Sequence, residues 1–226
     1  TTEKGIFHSS YFRTSSDDNI INITTVHDFT YEYFFNGLAK RIHHQQKGNA
    51  IKRSKKIICI SQNTKNDLLK FYPQIKEEQV KVIYNGVGEE YYPLLQMENH
   101  MFIPFQSQEY ILYVGDRKGI YKNFRMSVEA CKIVKIPLVI VGGGELSQYE
   151  KSMLELKLGA GQYIQLNGIT NVQLNQLYNH AAFLVYPSSY EGFGIPIIEA
   201  QKAGCPVICS NQSSIPEVAG NGAFLI

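Results

Sequence analysis

The sequence predicts an α/β protein in two domains, each with parallel strands covered by helices on both faces. Three observations carry this. Runs of consecutive apolar residues at 57–60, 110–114, 138–141 and 183–186 lack the polar alternation of a strand with one wet face. They alternate with helical patterns of about ten residues, long enough to cross over between parallel strands. The rhythm pauses once, over residues 88–108, which lack periodicity and hold Pro93 and Pro104. That stretch reads as a connection and places the domains at 1–95 and 96–226.

The elements follow in order. Residues 20–26 are a β-branched run ending at His27-Asp28. From Tyr31 to about Lys55, Phe34, Phe35, Leu38, Ile42 and Ile51 fall at helical spacings. Residues 57–60 are a short buried strand, and 61–72 read as a helix stopped by Pro73. Within that helix Thr64 to Asp67 fits a capping box, and Leu68, Leu69 and Tyr72 supply the apolar face. Residues 80–84 form a strand closed by the turn signal Asn85-Gly86. In the second domain the strands fall at 110–114, 138–141, 163–166, 183–186 and 206–209. Helices at 124–134, about 145–158, 172–180 and 196–202 separate them, and residues 223–226 are strand-like.

Composition narrows the function. The chain has 226 residues, 44% hydrophobic and 19% charged, which excludes disordered, collagen-like and coiled-coil classes. Its 15 Tyr and 12 Phe can fill a substantial core. No segment approaches the roughly 18 apolar residues of a membrane span. A net charge of +2 with no recognition motif argues against a nucleic-acid partner. Cys59, Cys131, Cys205 and Cys209 read as small buried hydrophobes of a reducing compartment. Cys205 and Cys209, four apart on one strand, would stand about 13 Å from each other, too far for a disulfide. With no Cys-x-x-Cys or His-Glu-x-x-His, no metal site is expected. The charge is uneven: no acid occurs between Glu32 and Asp67, while Lys40, Arg41, Lys47, Lys52, Arg53, Lys55, Lys56 and Lys65 are basic. This is either a solvated helix face or a patch for anionic lipid head groups or a diphosphate-linked acceptor.

The stretch from Glu191 to Ala200 carries the clearest chemistry. It follows a strand and opens a helix at Pro196, a favoured first-turn position. Gly192 and Gly194 flank Phe193 and let backbone approach a ligand, and the helix start turns N–H groups and a positive dipole end toward it. Glu199 is expected in the first turn, where it can accept from hydroxyls, with Glu191 before the loop. Paired carboxylates around a backbone-lined loop suit a polyhydroxylated ligand. Arg117 and Lys122 follow another strand, and two cations there can stabilise a diphosphate leaving group without a metal. The run Gly142-Gly143-Gly144 invites a dinucleotide reading, but Ser147 stands where the third glycine of that fingerprint belongs, and no acid lies about 20 residues on. A nicotinamide enzyme is disfavoured, and no P-loop pattern occurs.

Glu191, then seven residues, then Glu199, with Gly-Phe-Gly-Ile-Pro between, resembles the Glu-x7-Glu motif of family 4 retaining glycosyltransferases. Segments from Ala203 to Val207, Ile215 to Val218, Ile60 to Lys65, Val82 to Val87 and Tyr113 to Arg117, and Tyr121 to Phe124, are similar to that family in the same order. The resemblance implies two Rossmann-like domains facing a cleft, the GT-B arrangement. It implies that Glu199 holds ribose, that Arg117 and Lys122 take the diphosphate, and that Glu191 with Gly192, Phe193, Gly194 and Ile195 positions the sugar. It places His27 facing the donor sugar as a second catalytic residue, and His8-Ser9-Ser10-Tyr11 on the acceptor side. The implied reaction is metal-independent hexosyl transfer with retention, from a GDP- or UDP-linked sugar to a glycan or lipid-linked acceptor, and it needs no cofactor. Similarity of residues 121–124 to bacterial mannosyltransferases points to GDP-mannose. The implied setting is surface polysaccharide, including lipopolysaccharide, synthesis in the cytoplasm, peripheral at the inner face of the membrane. Members of the family run longer, so the first domain is expected to be incomplete. An NDP-sugar epimerase of similar architecture and a non-catalytic nucleotide-sugar-binding fragment are the alternatives.

Overall fold

The computed structural model describes residues 4–9, 11–95 and 103–226. Ser10 of the expected acceptor-side segment and residues 96–102 of the expected connection lie outside the described residues. The chain forms two compact units, one of Thr1–Asn85 with Glu191–Phe193, the other of Gly86–Tyr190 with Gly194–Ile226.

In the first unit β1 (Gly5–Ser9), β2 (Ile20–Val26), β3 (Lys56–Cys59) and β4 (Val80–Val82) form a four-stranded sheet in that order. All three pairings are parallel. Strand β1 carries no alternation that marks it in the sequence; it is an edge strand with Ile6 70% exposed. The long helix expected after Tyr31 is two helices, α1 (Thr30–Phe34) and α2 (Gly37–Arg53). Phe35 and Asn36 between them are extended, and Asn36 is the N-cap of α2, a position that takes extended backbone and favours Asn. Helix α3 (Gln62–Phe71) starts one turn before the expected capping box: Ser61 is the N-cap and its Oγ accepts from Thr64 N. Thr64 therefore sits inside the first turn and does not open the helix.

The second unit holds β5 (Ile111–Val114), β6 (Leu138–Val141), β7 (Tyr163–Leu166), β8 (Phe183–Tyr186), β9 (Val207–Cys209) and β10 (Phe224–Leu225). Their spatial order is β10-β9-β8-β5-β6-β7, with every pairing parallel. The helices are α4 (Phe124–Val134), α5 (Gln148–Lys157), α6 (Asn171–His180), α7 (Ile195–Lys202) and α8 (Ile215–Ala219). Alternate strand residues enter two cores. Leu112, Val139, Leu184 and Val207 pack with Leu177 of α6, Ile197 of α7 and Ile215 of α8. Ile111, Tyr113, Leu138, Ile140 and Val185 pack with Phe124 and Val128 of α4 and Leu154 of α5. Both faces are dry, which is why these strands read as unbroken apolar runs. The unit begins at Gly86 rather than at 96 because the segment before 96 is bonded to it. Tyr92 N donates to Asn175 Oδ1 at 3.1 Å, Leu94 N to Asn179 Oδ1 at 2.8 Å, and Lys202 Nζ to Gly88 O at 2.7 Å.

Candidate active site

The strand order fixes where a ligand can bind. From β5 the chain winds outward through β6 and β7, then crosses back to β8 on the other side of β5 and winds outward again. The loops leaving β5 and β8 therefore diverge, and the crevice at such a switch point is the binding site of open α/β sheets. Here the two loops are laced together. Ser189 N donates to Tyr121 O at 2.7 Å, and Asn123 Nδ2 donates to Pro187 O at 2.9 Å. Lys122 stands between these ties, at the end of the 3-10 turn Ile120–Lys122, with its ammonium 5.5 Å from the Tyr121 ring centre.

Arg117 lies on the same loop, and its side chain is fully buried. Nε donates to Glu150 Oε1 at 2.8 Å, one terminal nitrogen donates to Gly142 O, and the other donates to Gly144 O at 2.9 Å and Glu145 O at 3.3 Å. The glycine-rich loop thus turns its carbonyls onto a cation. This requires left-handed backbone, with φ +73° at Gly143, where a Cβ would come within 2.6 Å of the guanidinium. Ser147, which displaced the dinucleotide fingerprint, is the N-cap of α5 and forms a capping box with Glu150.

Glu199 falls past the first turn of α7, because that helix starts at Ile195 with Gly194 as its N-cap. The expected first-turn carboxylate is a mid-helix one, partly buried. Tyr178 OH donates to its Oε2 at 2.9 Å, and Tyr91 OH is a second donor. Burial raises its carboxyl above the ordinary carboxylate range, and the two tyrosine hydroxyls offset part of that rise.

In the first unit His27 is exposed at the end of β2, and the next residues are firmly held. Lys47 Nζ donates to Asp28 O at 2.8 Å, and Asp28 Oδ1 accepts from Thr30 N at 2.9 Å. Lys47 belonged to the expected exposed basic patch. It is instead completely buried, bonded to Glu32 Oε2 at 2.8 Å with its ammonium 4.4 Å from the Phe29 ring centre. Arg41, Lys52, Arg53, Lys55 and Lys56 of that patch are exposed. Gly192 packs in this unit too: Thr64 Oγ1 donates to Gly192 O at 3.2 Å, and a Cβ on Gly192 would strike the His27 carbonyl.

The residues not foreseen are Glu150, Tyr91, Tyr178 and Ser61. Ser147-x-x-Glu150 and Ser61-x-x-Thr64 carry cap signals legible in the sequence; the tyrosines carry none.

A parallel sheet in the order 3-2-1-4-5-6 is of the Rossmann class. The family described as "Glycosyl transferases group 1" matches residues 96–226, and "Glycosyltransferase Family 4" matches residues 6–91. The chain belongs to this glycosyltransferase family. It is 29% identical over 208 residues to the O-antigen chain mannosyltransferase RfbU of Salmonella typhimurium, covering 89% of this chain and 55% of that protein. The chain spans about half the length of such curated relatives, or less. Among solved structures it is similar to WaaG, a glycosyltransferase involved in lipopolysaccharide biosynthesis. The TM-score is 0.70 at 18% identity, covering 93% of this chain and 65% of that one. It is also similar to Anabaena Alr3699/HepE in complex with UDP-glucose, with TM-score 0.70 and 18% identity, covering 92% and 58%. The two parallel sheets are those of the GT-B fold.

Proposed function

We propose that the chain carries the donor site of a retaining glycosyltransferase of bacterial surface polysaccharide synthesis. It would move a hexosyl unit, mannosyl by similarity to the O-antigen relative, from a nucleoside-diphosphate sugar to a glycan or lipid-linked acceptor. The observation that carries this is the lacing of the β5 and β8 loops. It sets Lys122 beside the segment that leads into Glu191. The UDP-glucose bound by the structural neighbour supports a nucleotide-sugar donor.

In this reading Lys122 takes the diphosphate, while Arg117, expected beside it, is enclosed and holds the carbonyls of the glycine-rich loop instead; Glu199 accepts from ribose hydroxyls, and Glu191 with the backbone of Gly192, Phe193, Gly194 and Ile195 orients the sugar. His27 is the second catalytic residue of this reading. The acceptor oxygen bonds to the anomeric carbon on the face from which the phosphate leaves. The bond from that carbon to the phosphate oxygen breaks, its electron pair stays on the phosphate, and that oxygen takes the acceptor proton. Lys122 stabilises the charge that develops there. No metal ion has a role in this scheme. Family membership and the relatives' activity favour transfer over the epimerase alternative.

The finer reading places the protein at the inner face of the cytoplasmic membrane. Phe34, Phe35, Leu38 and Ile42 are exposed at the α1–α2 bend, and Arg41 is exposed beside them. An apolar tip with neighbouring cations suits an anionic lipid surface. No helix among the described residues is long and apolar enough to cross a membrane. Flotation with anionic vesicles tests this, and replacing Leu38 and Ile42 with Ser should abolish co-flotation.

A hydrolysis screen of UDP-, GDP- and ADP-sugars tests the donor reading. Slow release of one nucleoside diphosphate, lost in Glu191→Ala, supports the enzyme. Binding without turnover supports the non-catalytic alternative, and free isomerised nucleotide-sugar supports the epimerase.

A further inference from the structure

A cavity of about 440 Å³ in the second unit is walled by the loop after β5 and the first turns of α4 and α5. Lys122, Glu191 and Glu199 are not part of its lining. The buried Phe124 ring lines it, with the Arg117 guanidinium carbon 5.9 Å from the ring centre, and Glu150 neutralises that cation at 2.8 Å. Three further lining side chains, Ile120, Met126 and Tyr149, are large, apolar and exposed. An aromatic ring and a flexible thioether can close on apolar bodies of varied shape. Small-molecule sites have this size and this kind of lining, with a few polar groups to fix orientation. Here the free charge of the lining has one sign. Lys118 and Arg125 line the cavity, and neither pairs with a carboxylate among the described residues. Glu150 is the one acid of the lining, and Arg117 and Ser147 engage both its oxygens. Outside the lining, Glu129 is paired with Lys157 Nζ at 2.7 Å, and Asp116 Oδ1 accepts from Lys118 N at 3.3 Å. The positive dipole ends of two helices add to the same bias toward an anion.

We propose that this cavity binds a small anionic amphiphile, an aromatic or alicyclic body carrying one carboxylate, sulfonate or phosphate group. The body lies against Phe124 between Met126 and Tyr149, and the acidic group meets Lys118 and Arg125. The site stands apart from the donor reading above. Ile120 of its lining shares a 3-10 turn with Lys122, so an occupant rests on the element that carries that lysine.

Two fluorescent probes test it on the native chain: anilinonaphthalene sulfonate, and phenylnaphthylamine, which has the same aromatic body and no charge. Saturable binding of one sulfonate per chain is expected. Met126→Ser with Tyr149→Ser should abolish it, and because both residues are exposed the pair should leave the melting temperature unchanged. Lys118→Gln with Arg125→Gln should weaken the sulfonate about tenfold, the scale of one charge-assisted hydrogen bond, and leave the uncharged probe unchanged. Leu38→Ser with Ile42→Ser, at the apolar tip of the first unit, should change neither. The proposal is overturned if the native chain binds no sulfonate, or if binding survives the Met126 and Tyr149 pair. Equal weakening of both probes by the Lys118 and Arg125 pair overturns the anion preference. Loss of binding in the Leu38 and Ile42 pair would put the probe at the wrong surface. Displacement by GDP or UDP would make the cavity part of the donor site, and either result also overturns the proposal.

Discussion

Lys47 and Glu32 form an ion pair in the interior of the first unit, Nζ to Oε2 2.8 Å, with the lysine side chain fully enclosed and the glutamate 2% exposed. The ammonium also holds the carbonyl of Asp28, so the pair fixes the turn that follows His27. Removing one partner leaves a buried charge without its counterion. Lys47→Ala should destabilise the protein by about 3–5 kcal/mol, while Lys47→Met with Glu32→Leu should cost far less. Urea unfolding measures both, and a single-variant loss under about 1 kcal/mol would contradict the assignment.

Glu199 titrates in a way that stability can report. Burial puts its folded pKa above the ordinary 4.5 despite its two tyrosine donors. A raised carboxyl pKa favours folding fully below that ordinary value, and the benefit disappears as pH rises through the folded value. Glu199→Gln should therefore gain on the parent protein as pH climbs from 4.5 toward neutrality. Thermal unfolding across that range reads the difference, and parallel curves would show that Glu199 is not desolvated. The same variant should bind nucleotide more weakly.

Gly143 must be glycine for two independent reasons, its φ of +73° and the guanidinium that a Cβ would meet. Gly143→Ala should cost about 1–3 kcal/mol and reduce nucleoside diphosphate affinity. An unperturbed melting temperature in that variant would show that the loop does not close on Arg117.

The four thiols should be silent in the native state. Burial pushes Cys59, Cys131 and Cys205 up to about 12 and Cys209 up to about 11. A thiolate-selective reagent at mildly alkaline pH should label none until denaturant is added and then all four. Rapid native labelling would place at least one of them at the surface.

The sheet of the second unit was largely legible because its physics is local. Apolar runs such as 138–141 are buried on both faces, and that leaves a mark in four letters. Strand β1 left none, since an exposed edge strand needs no pattern, and neither did the Phe35–Asn36 break, where the N-cap of α2 interrupts a helical spacing. The charged groups were legible as types but not as partners. Nothing in the sequence distinguishes Lys47 from Lys52, yet one is enclosed and the other exposed, because Glu32 and Asp28 meet only the first. Arg117 is legible as a loop residue after β5, but Glu150 is brought to it by folding rather than by spacing. Glu199 shifted out of the first turn because Gly194, not Ile195, caps the helix.

In the proposed reading the switch-point loops of the second unit bind the nucleoside diphosphate of a sugar donor. Calorimetric titration of GDP and of UDP into the chain measures this. Saturable binding of at least one at millimolar concentration or below is expected, weakened about tenfold or more by Lys122→Ala, the scale of one charge-assisted contact. No detectable binding of either at millimolar concentration, or full affinity in Lys122→Ala, would contradict it.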